Sequence, residues 1–331
     1  MEHRLIIIGA GPCGLSAAIE LKRAGIEALV IEKNCLVHSI YRYPTHLQFF
    51  STPELLEIGD LPFTTPHDKP YRHEALVYYR KAAEHYQLHI RTYEEVTSVH
   101  KVDEKFQLTT KTISGHELHY EAQNVVIATG YFDYPNMLNI PGEQLPHVSH
   151  YFQEAHPYAG KQVVIIGANN SAVDAALELM RVGADVTVVA RGSELSGSVK
   201  PWVKPIFESM VAKGIISLRT SSQVQEILPD KVIIREQTND GETLYELPCS
   251  FVLALTGFRP DRKMVSQLGV QLQEDGDKPV FYPDTMETNI AGLYVAGVIA
   301  SGKNANEIFI ETGRDHGKWI AQHLLQQQSN I

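Results

Sequence analysis

The N-terminal part of the chain contains a glycine turn with the spacing of a dinucleotide-binding loop. Gly9, Gly11 and Gly14 follow an apolar run and precede a stretch with helical spacing of alanine and leucine. The first glycine allows a tight turn, the second lets the backbone approach a pyrophosphate, and the third lets the helix pack on the strand. Glu32 ends the next apolar run, where a carboxylate would hold ribose hydroxyls. This combination predicts a dinucleotide site with its phosphates at a helix N-terminus.

A second glycine turn, in the middle of the chain, is less regular. It comprises Gly167, Ala168, Asn169, Asn170, Ser171 and Ala172. Asn169 stands where the second glycine usually lies, and asparagine tolerates left-handed backbone and can donate a hydrogen bond to a phosphate. Arg191 ends the following apolar run, where a guanidinium suits a 2′-phosphate and favours NADPH over NADH. Lys200 or Lys204 could assist Arg191, whose alternative role is a solvated surface charge.

Cys13 lies inside the first turn and is the cysteine whose position suggests chemistry. At the start of the predicted helix, the helix dipole would stabilise a thiolate and lower the pKa of the thiol. A redox role beside a bound dinucleotide is the first interpretation, and a small packing residue is the alternative. Cys35 and Cys249 have no comparable surroundings and are expected to be structural. The three cysteines form no CxxC pair, which excludes a zinc ribbon and a thioredoxin-type dithiol.

The two turns require strands and helices that hold them in place. Two β-α-β units are predicted, with strands at residues 5–8, 28–31, 163–166 and 185–190 and helices at residues 15–24 and 172–180. Residues 94–126 alternate like a small antiparallel meander, and a second meander is expected between residues 217 and 246. The proline-rich segment 134–146 is a candidate crossing between domains, and a helix is predicted over residues 308–327. The pattern predicts an α/β fold with two Rossmann-like, three-layer nucleotide-binding domains.

Composition and charge exclude several classes of protein. A chain of 331 residues is long enough for two domains. The net charge of −10 disfavours nucleic acid and anionic membrane surfaces as partners. A membrane-spanning helix needs about 20 apolar residues, which no run in the sequence provides, and we expect no signal peptide. The 15 histidines lack metal-ligand spacing, so the expectation is a cytoplasmic protein that binds no metal.

The order of these motifs resembles the low-molecular-mass thioredoxin reductases over almost the whole chain. The resemblance implies FAD at the first turn, NADPH at the second, and a late turn at Ala296 and Gly297 that returns to the FAD. It also implies that the NADPH domain is inserted in the FAD domain. Two features depart from those reductases. Residues 147–161 contain no cysteine where they carry a CxxC pair, and Val298 stands where they carry an aspartate.

Longer strings resemble the bacillithiol disulfide reductases (YpdA type). They are GAGPCGLSAA from Gly9, NNSAVDAALEL from Asn169 and AGVIASG from Ala296. This resemblance implies an FAD enzyme that uses NADPH to reduce bacillithiol disulfide, with Cys13 as the redox cysteine. We expect an FAD domain over residues 1–133 and 261–331, an NADPH domain over residues 134–260, a small-molecule disulfide as partner, and a homo-oligomer.

The candidate site residues follow from the two turns and from the resemblance. The candidate catalytic residue is Cys13. The cofactor-binding candidates are Gly9, Gly11, Pro12, Cys13, Gly14, Glu32, Lys33, His46, Val96, Thr129, Gly130, Gly167, Asn169, Asn170, Ser171, Ala172, Arg191, Lys200, Gly257, Gly297, Val298 and Ile308. A helix that includes residues 306–309 is expected to direct its N-terminus at the flavin.

Three other functions remain open on the sequence alone. The first is a ferredoxin- or flavodoxin-NADP reductase, which the acidic charge of the chain disfavours because those electron carriers are acidic too. The second is a flavin monooxygenase, although the FxGxxxH motif of that group is absent around residues 147–151. The third is an FAD- or NADPH-binding redox sensor without catalysis, which is disfavoured because paired cofactor sites imply electron transfer.

Overall fold

The computed structural model describes residues 2–238, 241–274 and 277–329. The chain forms two compact units, one made of Met1–Tyr134 with Phe258–Ile331 and one made of Pro135–Gly257. Each unit contains a β-sheet rich in parallel strands and flanked by helices. The predicted α/β fold class with two Rossmann-type domains is therefore confirmed.

The N-terminal part of the first unit alternates strands and helices before it ends in a long meander. Its elements are β1 (Glu2–Ile8), α1 (Pro12–Arg23), β2 (Leu29–Glu32), α2 (His38–Tyr41), α3 (Pro53–Leu56), α4 (Arg72–His85), β3 (His89–Thr92), β4 (Glu94–Val102), β5 (Lys105–Thr112) and β6 (Glu117–Ile127). The meander β4 to β6 matches the pattern expected from the sequence.

The second unit contains a parallel sheet and a separate antiparallel one. Its elements are β7 (Val148–Ser149), a 3₁₀ helix (His156–Tyr158), β8 (Gln162–Ile166), α5 (Asn170–Arg181), β9 (Asp185–Val189), α6 (Lys204–Ala212), β10 (Ile216–Arg219), β11 (Ser222–Ile227), β12 (Lys231–Thr238), β13 (Gly241–Pro248) and β14 (Phe251–Ala254). The parallel strands have the order β10-β9-β8-β14-β7, and β11-β12-β13 form the antiparallel sheet. The expected second meander therefore begins only at β11, because β10 pairs in parallel with β9.

The C-terminal part of the chain returns to the first unit. Its elements are α7 (Lys263–Gln267), β15 (Leu293–Val295), two 3₁₀ helices (Gly297–Ala300 and Ala305–Glu307), α8 (Ile310–Gly313) and α9 (His316–Ser329). The single helix predicted over residues 308–327 is wrong, because the chain breaks between α8 and α9. The expectation of a helix through residues 306–309 is also wrong, since Phe309 is the extended N-cap residue of α8.

The sheet of the first unit brings three loops to one edge. Its strands have the order β3-β2-β1-β6-β5-β4, and β15 also pairs with β6. The C-terminal residue of β1, Ile8, pairs in parallel with Ile127, which also pairs with Val295 of β15. The residues that follow these strands therefore meet at the carboxyl edge, where α/β sheets bind ligands. Buried, apolar strands such as Leu5–Ile8 are typical of a parallel sheet covered on both faces.

Helix α4 was not predicted from the sequence. Its buried residues are Ala75, Tyr78, Tyr79, Ala82 and Ala83, with the spacing of one face of a helix. Aromatic and charged residues between them make the run less apolar than those of α1 or α5. The periodicity, and not the mean hydropathy, is the signal that could have identified this helix.

One glycine of the second unit offers a test of the packing. A Cβ atom on Gly142, whose φ is +81°, would lie 1.8 Å from the Ile227 carbonyl oxygen, whereas Gly160, with φ +66°, faces open space. We expect Gly160→Ala to lower the free energy of unfolding by about 1 kcal/mol through left-handed strain alone. Gly142→Ala should lower it by about 2–4 kcal/mol, because overpacking adds to the strain. Urea denaturation of both variants measures the difference, and equal losses would contradict the close approach.

Candidate functional site

The first glycine turn has one tightly packed side and one open side. A Cβ atom on Gly9 would lie 2.5 Å from the Ala128 carbonyl oxygen, and one on Gly14 would lie 2.1 Å from the Gly9 carbonyl oxygen. A Cβ atom on Gly11 would meet no heavy atom of the described chain within 4 Å. No side chain among the described residues caps the N-terminus of α1, which begins at Pro12. Free backbone N–H groups beside an open glycine are suited to a pyrophosphate.

Glu32 fixes the turn to the end of β2. One carboxylate oxygen accepts a hydrogen bond of 2.8 Å from the Ala10 N–H, and the other accepts one of 2.9 Å from the Asn34 N–H. Burial raises the pKa of Glu32, and the two backbone donors partly oppose that shift. The neighbouring Lys33 forms an ion pair of 2.9 Å with Asp133. A contact between Glu32 and ribose hydroxyls stays a prediction.

The sulfur of Cys13 lies in a slot between two glycines. A Cβ atom on Gly313 would lie 2.7 Å from Cys13 Sγ, and one on Gly297 would lie 2.9 Å from the same sulfur. Gly297 has a φ of +75°, which favours glycine independently of the sulfur. The first turn, the turn after β15 and helix α8 therefore converge on the Cys13 side chain.

The expected lowering of the Cys13 pKa is wrong. Burial raises the pKa of the Cys13 thiol to about 12, and the negative charge of Glu311 adds to the shift. Desolvation disfavours the thiolate more than the N-terminus of α1 favours it. In the protein as described, Cys13 is a protonated thiol at neutral pH, so any reaction that needs the thiolate also needs a way to remove this proton.

His316 holds the Gly297 turn from the other side. The Gly297 N–H donates a hydrogen bond of 3.1 Å to His316 Nδ1, which places the imidazole proton on Nε2. Burial lowers the pKa of His316 to about 4, so the ring is neutral at pH 7. Its ring stacks on Trp319 at 5.3 Å between centroids. No sequence pattern identifies this residue, since an isolated histidine at the start of a helix has many ordinary roles.

The remaining candidates of the first unit are distributed over several elements. Thr129 and Gly130 directly follow β6 at the carboxyl edge, and Gly130 has a φ of +72°. Val298 lies in the 3₁₀ helix after β15, and the Ile308 side chain would lie 3.3 Å from a Cβ atom on Gly313. These four belong to segments that follow β6 and β15 or lie next to α8, and their contacts with a cofactor stay predictions.

Two further candidates lie on other parts of the first unit. His46 is in the segment between α2 and α3 and is partly buried. Val96 is on β4, at the point where the register with β5 shifts between Val96 and Ser98. Their proposed contacts with a cofactor stay predictions.

The asparagine side chains of the second glycine turn form hydrogen bonds with the backbone of the protein. The Asn169 carboxamide oxygen caps α5 by accepting a hydrogen bond of 3.1 Å from the Ala172 N–H, and its Nδ2 donates to the Leu255 carbonyl oxygen at 3.2 Å. The Asn170 side chain accepts a hydrogen bond of 2.7 Å from the Lys200 N–H. The Asn169 amide therefore has one of its two N–H donors engaged within the fold, and its contact with a phosphate stays a prediction.

Lys200 is engaged as well. Its ammonium lies 3.0 Å from an Asp174 carboxylate oxygen, and its assistance to Arg191 stays a prediction. Arg191 itself is exposed directly after β9, and Ser171 is exposed in the first turn of α5. Both remain suited to a nucleotide phosphate.

The small residues of the second turn maintain close packing. Ala172 is buried, and its Cβ would lie 3.7 Å from a Cβ atom on Gly167. A Cβ atom on Gly167 would also lie 2.5 Å from the Leu255 carbonyl oxygen. Gly257, with a φ of +88°, accepts a hydrogen bond of 2.9 Å from the Asn136 N–H.

Comparison with known proteins decides the family. Residues 6–297 match the family described as pyridine nucleotide-disulphide oxidoreductase. The chain belongs to this family. It is 47% identical over 330 residues to bacilliredoxin reductase Bdr of Bacillus subtilis, covering 100% of both chains.

Two solved structures are similar to this chain over almost its full length. The bacillithiol disulfide reductase Bdr (YpdA) from Bacillus cereus is 47% identical with a TM-score of 0.95, covering 99% of this chain and 100% of that one. The Staphylococcus aureus protein of the same description is 46% identical with a TM-score of 0.94, covering 99% of both.

The pyridine nucleotide-disulphide oxidoreductase described here is an enzyme whose cofactors are FAD and NADPH. The open space at Gly11 and the uncapped N-terminus of α1 fit the pyrophosphate of such a cofactor. Within the described residues no helix has the length and apolar character to cross a membrane. The same residues contain no cluster of three or more His, Cys, Asp or Glu arranged for a metal ion.

The buried side chain of His316 should make the free energy of unfolding depend on pH. Its folded pKa of about 4 lies below the ordinary value of 6.5, so the unfolded chain takes up the proton first as the pH falls. Above pH 6.5 the neutral His316 contributes its full stabilisation to the folded state. As the pH falls to 4, the free energy of unfolding decreases by about 3 kcal/mol. We expect His316→Asn, whose carboxamide can still accept from Gly297, to lack this part of the loss. Urea denaturation at pH 7 and pH 4 measures it, with the exposed His100→Asn as control, and identical pH dependence in wild type and His316→Asn would contradict the assignment.

Proposed function

We propose that the protein reduces a low-molecular-weight disulfide, bacillithiol disulfide, with electrons from NADPH that pass through FAD to Cys13. The observation that carries the proposal is the position of the Cys13 sulfur, inside the dinucleotide-binding turn and between Gly297 and Gly313. Full-length relatives described as bacillithiol disulfide reductases support this choice of substrate. In this proposal, Cys13 belongs to the cofactor-binding turn and also provides the reactive sulfur.

We assign FAD to the first unit and NADPH to the second. In the first unit, the backbone around Gly11 would hold the pyrophosphate and Glu32 would hold the turn in register. In the second unit, the first turn of α5 and the exposed Arg191 would hold the NADPH phosphates. FAD supplies two-electron redox chemistry between the nicotinamide and sulfur.

The sulfur chemistry begins with attack by Cys13 on the substrate. The Cys13 sulfur forms a bond to one substrate sulfur, the substrate S–S bond breaks, and the second sulfur leaves with the electron pair as a thiolate. The nucleophile is the thiolate, yet burial raises the pKa of Cys13 and keeps the thiol protonated at pH 7. The reaction therefore depends on a group that accepts the proton.

Replacement of Cys13 tests the sulfur half of this function. We expect Cys13→Ala to retain bound FAD and to lose disulfide-dependent NADPH oxidation by at least about 100-fold, because the attacking atom is gone. Cys35→Ala is the matched control and should retain activity. NADPH consumption with bacillithiol disulfide is measured at 340 nm, and an unchanged rate in Cys13→Ala with FAD bound would refute the role of Cys13.

Replacement of Gly11 tests the FAD half. We expect Gly11→Val to remain folded, because its side chain meets open space, and to bind FAD at least about tenfold more weakly because the side chain occupies the pyrophosphate position. Gly197→Val is the matched control, since a Cβ atom there also meets no heavy atom within 4 Å. The ratio of flavin to protein absorbance reports occupancy. Full FAD occupancy in Gly11→Val would contradict the placement of the cofactor.

A further inference from the structure

The two walls of the Cys13 slot are held in place by different hydrogen bonds. On the Gly313 side, the buried Ser16 hydroxyl on α1 donates to the Arg314 carbonyl oxygen at 2.7 Å. Ser16 follows Cys13 by three residues, so both side chains lie on the same face of α1. This hydrogen bond ties the end of α8 to the helix that carries the sulfur.

The Gly297 wall is held from another element. The Ala296 N–H donates to the Ile127 carbonyl oxygen at 2.9 Å, which continues the pairing of β15 with β6. The next N–H along the chain, that of Gly297, donates to His316 Nδ1 at 3.1 Å. Gly297 has a φ of +75°, and glycine has the widest backbone freedom of any residue. The His316 acceptor therefore restricts the turn at the point where it contacts the sulfur.

Packing around α9 fixes His316 in turn. Its side chain is buried, and its ring stacks on Trp319 at 5.3 Å between centroids. The next residue, Gly317, approaches α1 so closely that a Cβ atom on it would lie 2.5 Å from Ala17 Cα. In such close packing the imidazole has little room to move. The acceptor and the helix that carries the sulfur therefore keep a fixed distance, and the Gly297 backbone lies between them.

We propose that His316 is a positioning residue for the Cys13 sulfur, because its Nδ1 atom fixes the Gly297 backbone against that sulfur. Loss of the acceptor would leave a buried N–H without a partner, which favours a movement of the turn towards another acceptor or towards water. The turn can move only away from the sulfur, because Gly297 already lies in close contact with it. Such a movement would hydrate the sulfur and change its alignment with a disulfide. The proposal rests on the proposed function of Cys13.

A second histidine of α9 separates this role from ordinary packing. His323 lies two helical turns after His316, and its Nδ1 atom is 3.2 Å from the Tyr294 hydroxyl on β15. Both histidines therefore join α9 to β15 or to the turn that follows it. Tyr294, however, lies three residues before Gly297 and is not a wall of the slot. His323 should contribute to stability without acting on the sulfur.

The position of the acceptor atom provides the most selective variants. His316→Asn keeps an acceptor oxygen at the place of Nδ1, His316→Gln moves the oxygen outwards to the place of Nε2, and His316→Leu removes the acceptor. We expect His316→Asn to retain most of the wild-type behaviour, whereas His316→Gln and His316→Leu share one defect. His323→Leu is the matched control, since it removes a comparable contact of the same helix, and it should behave like wild type.

Alkylation of Cys13 in the FAD-containing enzyme is the first measurement. Iodoacetamide labelling followed by peptide mass spectrometry gives its rate, with Cys35 in the same sample as internal reference. The rate should rise by about tenfold in His316→Gln and His316→Leu, because a hydrated sulfur ionises more readily than a buried one. The flavin absorbance spectrum reports whether each variant keeps its cofactor, and loss of FAD from both variants would count against the proposal.

Turnover with bacillithiol disulfide at pH 7 is the second measurement. In His316→Gln and His316→Leu, kcat should fall by about 10²-fold with little change in KM, as expected when a reacting atom is misplaced. NADPH oxidation with ferricyanide, which takes electrons from reduced FAD without a sulfur nucleophile, should be retained. The ratio of the two rates therefore reports on the position of the sulfur.

Four outcomes would overturn the proposal. If His316→Asn and His316→Gln behave alike, the place of the acceptor is irrelevant. If the alkylation rate of Cys13 does not rise in His316→Gln and His316→Leu, the histidine does not act on the sulfur. If His323→Leu shows the same changes, or if ferricyanide reduction falls as far as disulfide turnover, the defect lies in packing or in the flavin site. The alkylation measurement needs no turnover, so unchanged activity of Cys13→Ala would refute the proposed function separately.

Discussion

The close approach of three backbone segments around one sulfur atom is the constraint on which the first unit depends. The Cys13 side chain can lie where it does only because Gly297 and Gly313 lack side chains; a Cβ atom on either would lie less than 3.0 Å from the sulfur. Helix α1 also approaches α9 closely, since a Cβ atom on Gly317 would lie 2.5 Å from Ala17 Cα. Because close packing transmits small displacements, the position of the Cys13 sulfur depends on the contact between α1 and the C-terminal helices.

Burial decides the electrostatics of the slot. A helix N-terminus stabilises a nearby anion by about 0.3–1 kcal/mol in exposed positions, whereas each pKa unit corresponds to about 1.4 kcal/mol. The rise of the Cys13 pKa to about 12 is therefore larger than the helix dipole can offset. The same desolvation keeps His316 neutral, and a neutral ring is required to accept the Gly297 N–H. Desolvation thus favours the uncharged thiol and the uncharged imidazole.

The sequence was sufficient for the local features of the site and insufficient for those that depend on tertiary contacts. Gly9, Gly11, Gly14 and Glu32 lie within one β-α-β unit, where spacing alone determines their relative positions. Ser16 and Arg314 meet only because α1 packs against the C-terminal helices, and no periodicity predicts a pair so distant in the chain. The direction of the Cys13 pKa was missed for a related reason. The helix position can be read from the sequence, but the close approach of Gly297 and Gly313 to the sulfur depends on tertiary contacts.

The two glycine turns reach similar backbone paths by different means. In the first, Gly11 leaves open space at the helix N-terminus and Glu32 ties the turn to β2 from outside. In the second, the Asn169 side chain occupies the corresponding position and caps α5 itself. A turn that is capped by its own side chain has fewer free N–H groups, so ligand phosphates must rely more on exposed cationic and hydroxyl groups. Lys200 is paired with Asp174, whereas Arg191 is exposed after β9, and we assign the 2′-phosphate contact in our proposal to Arg191.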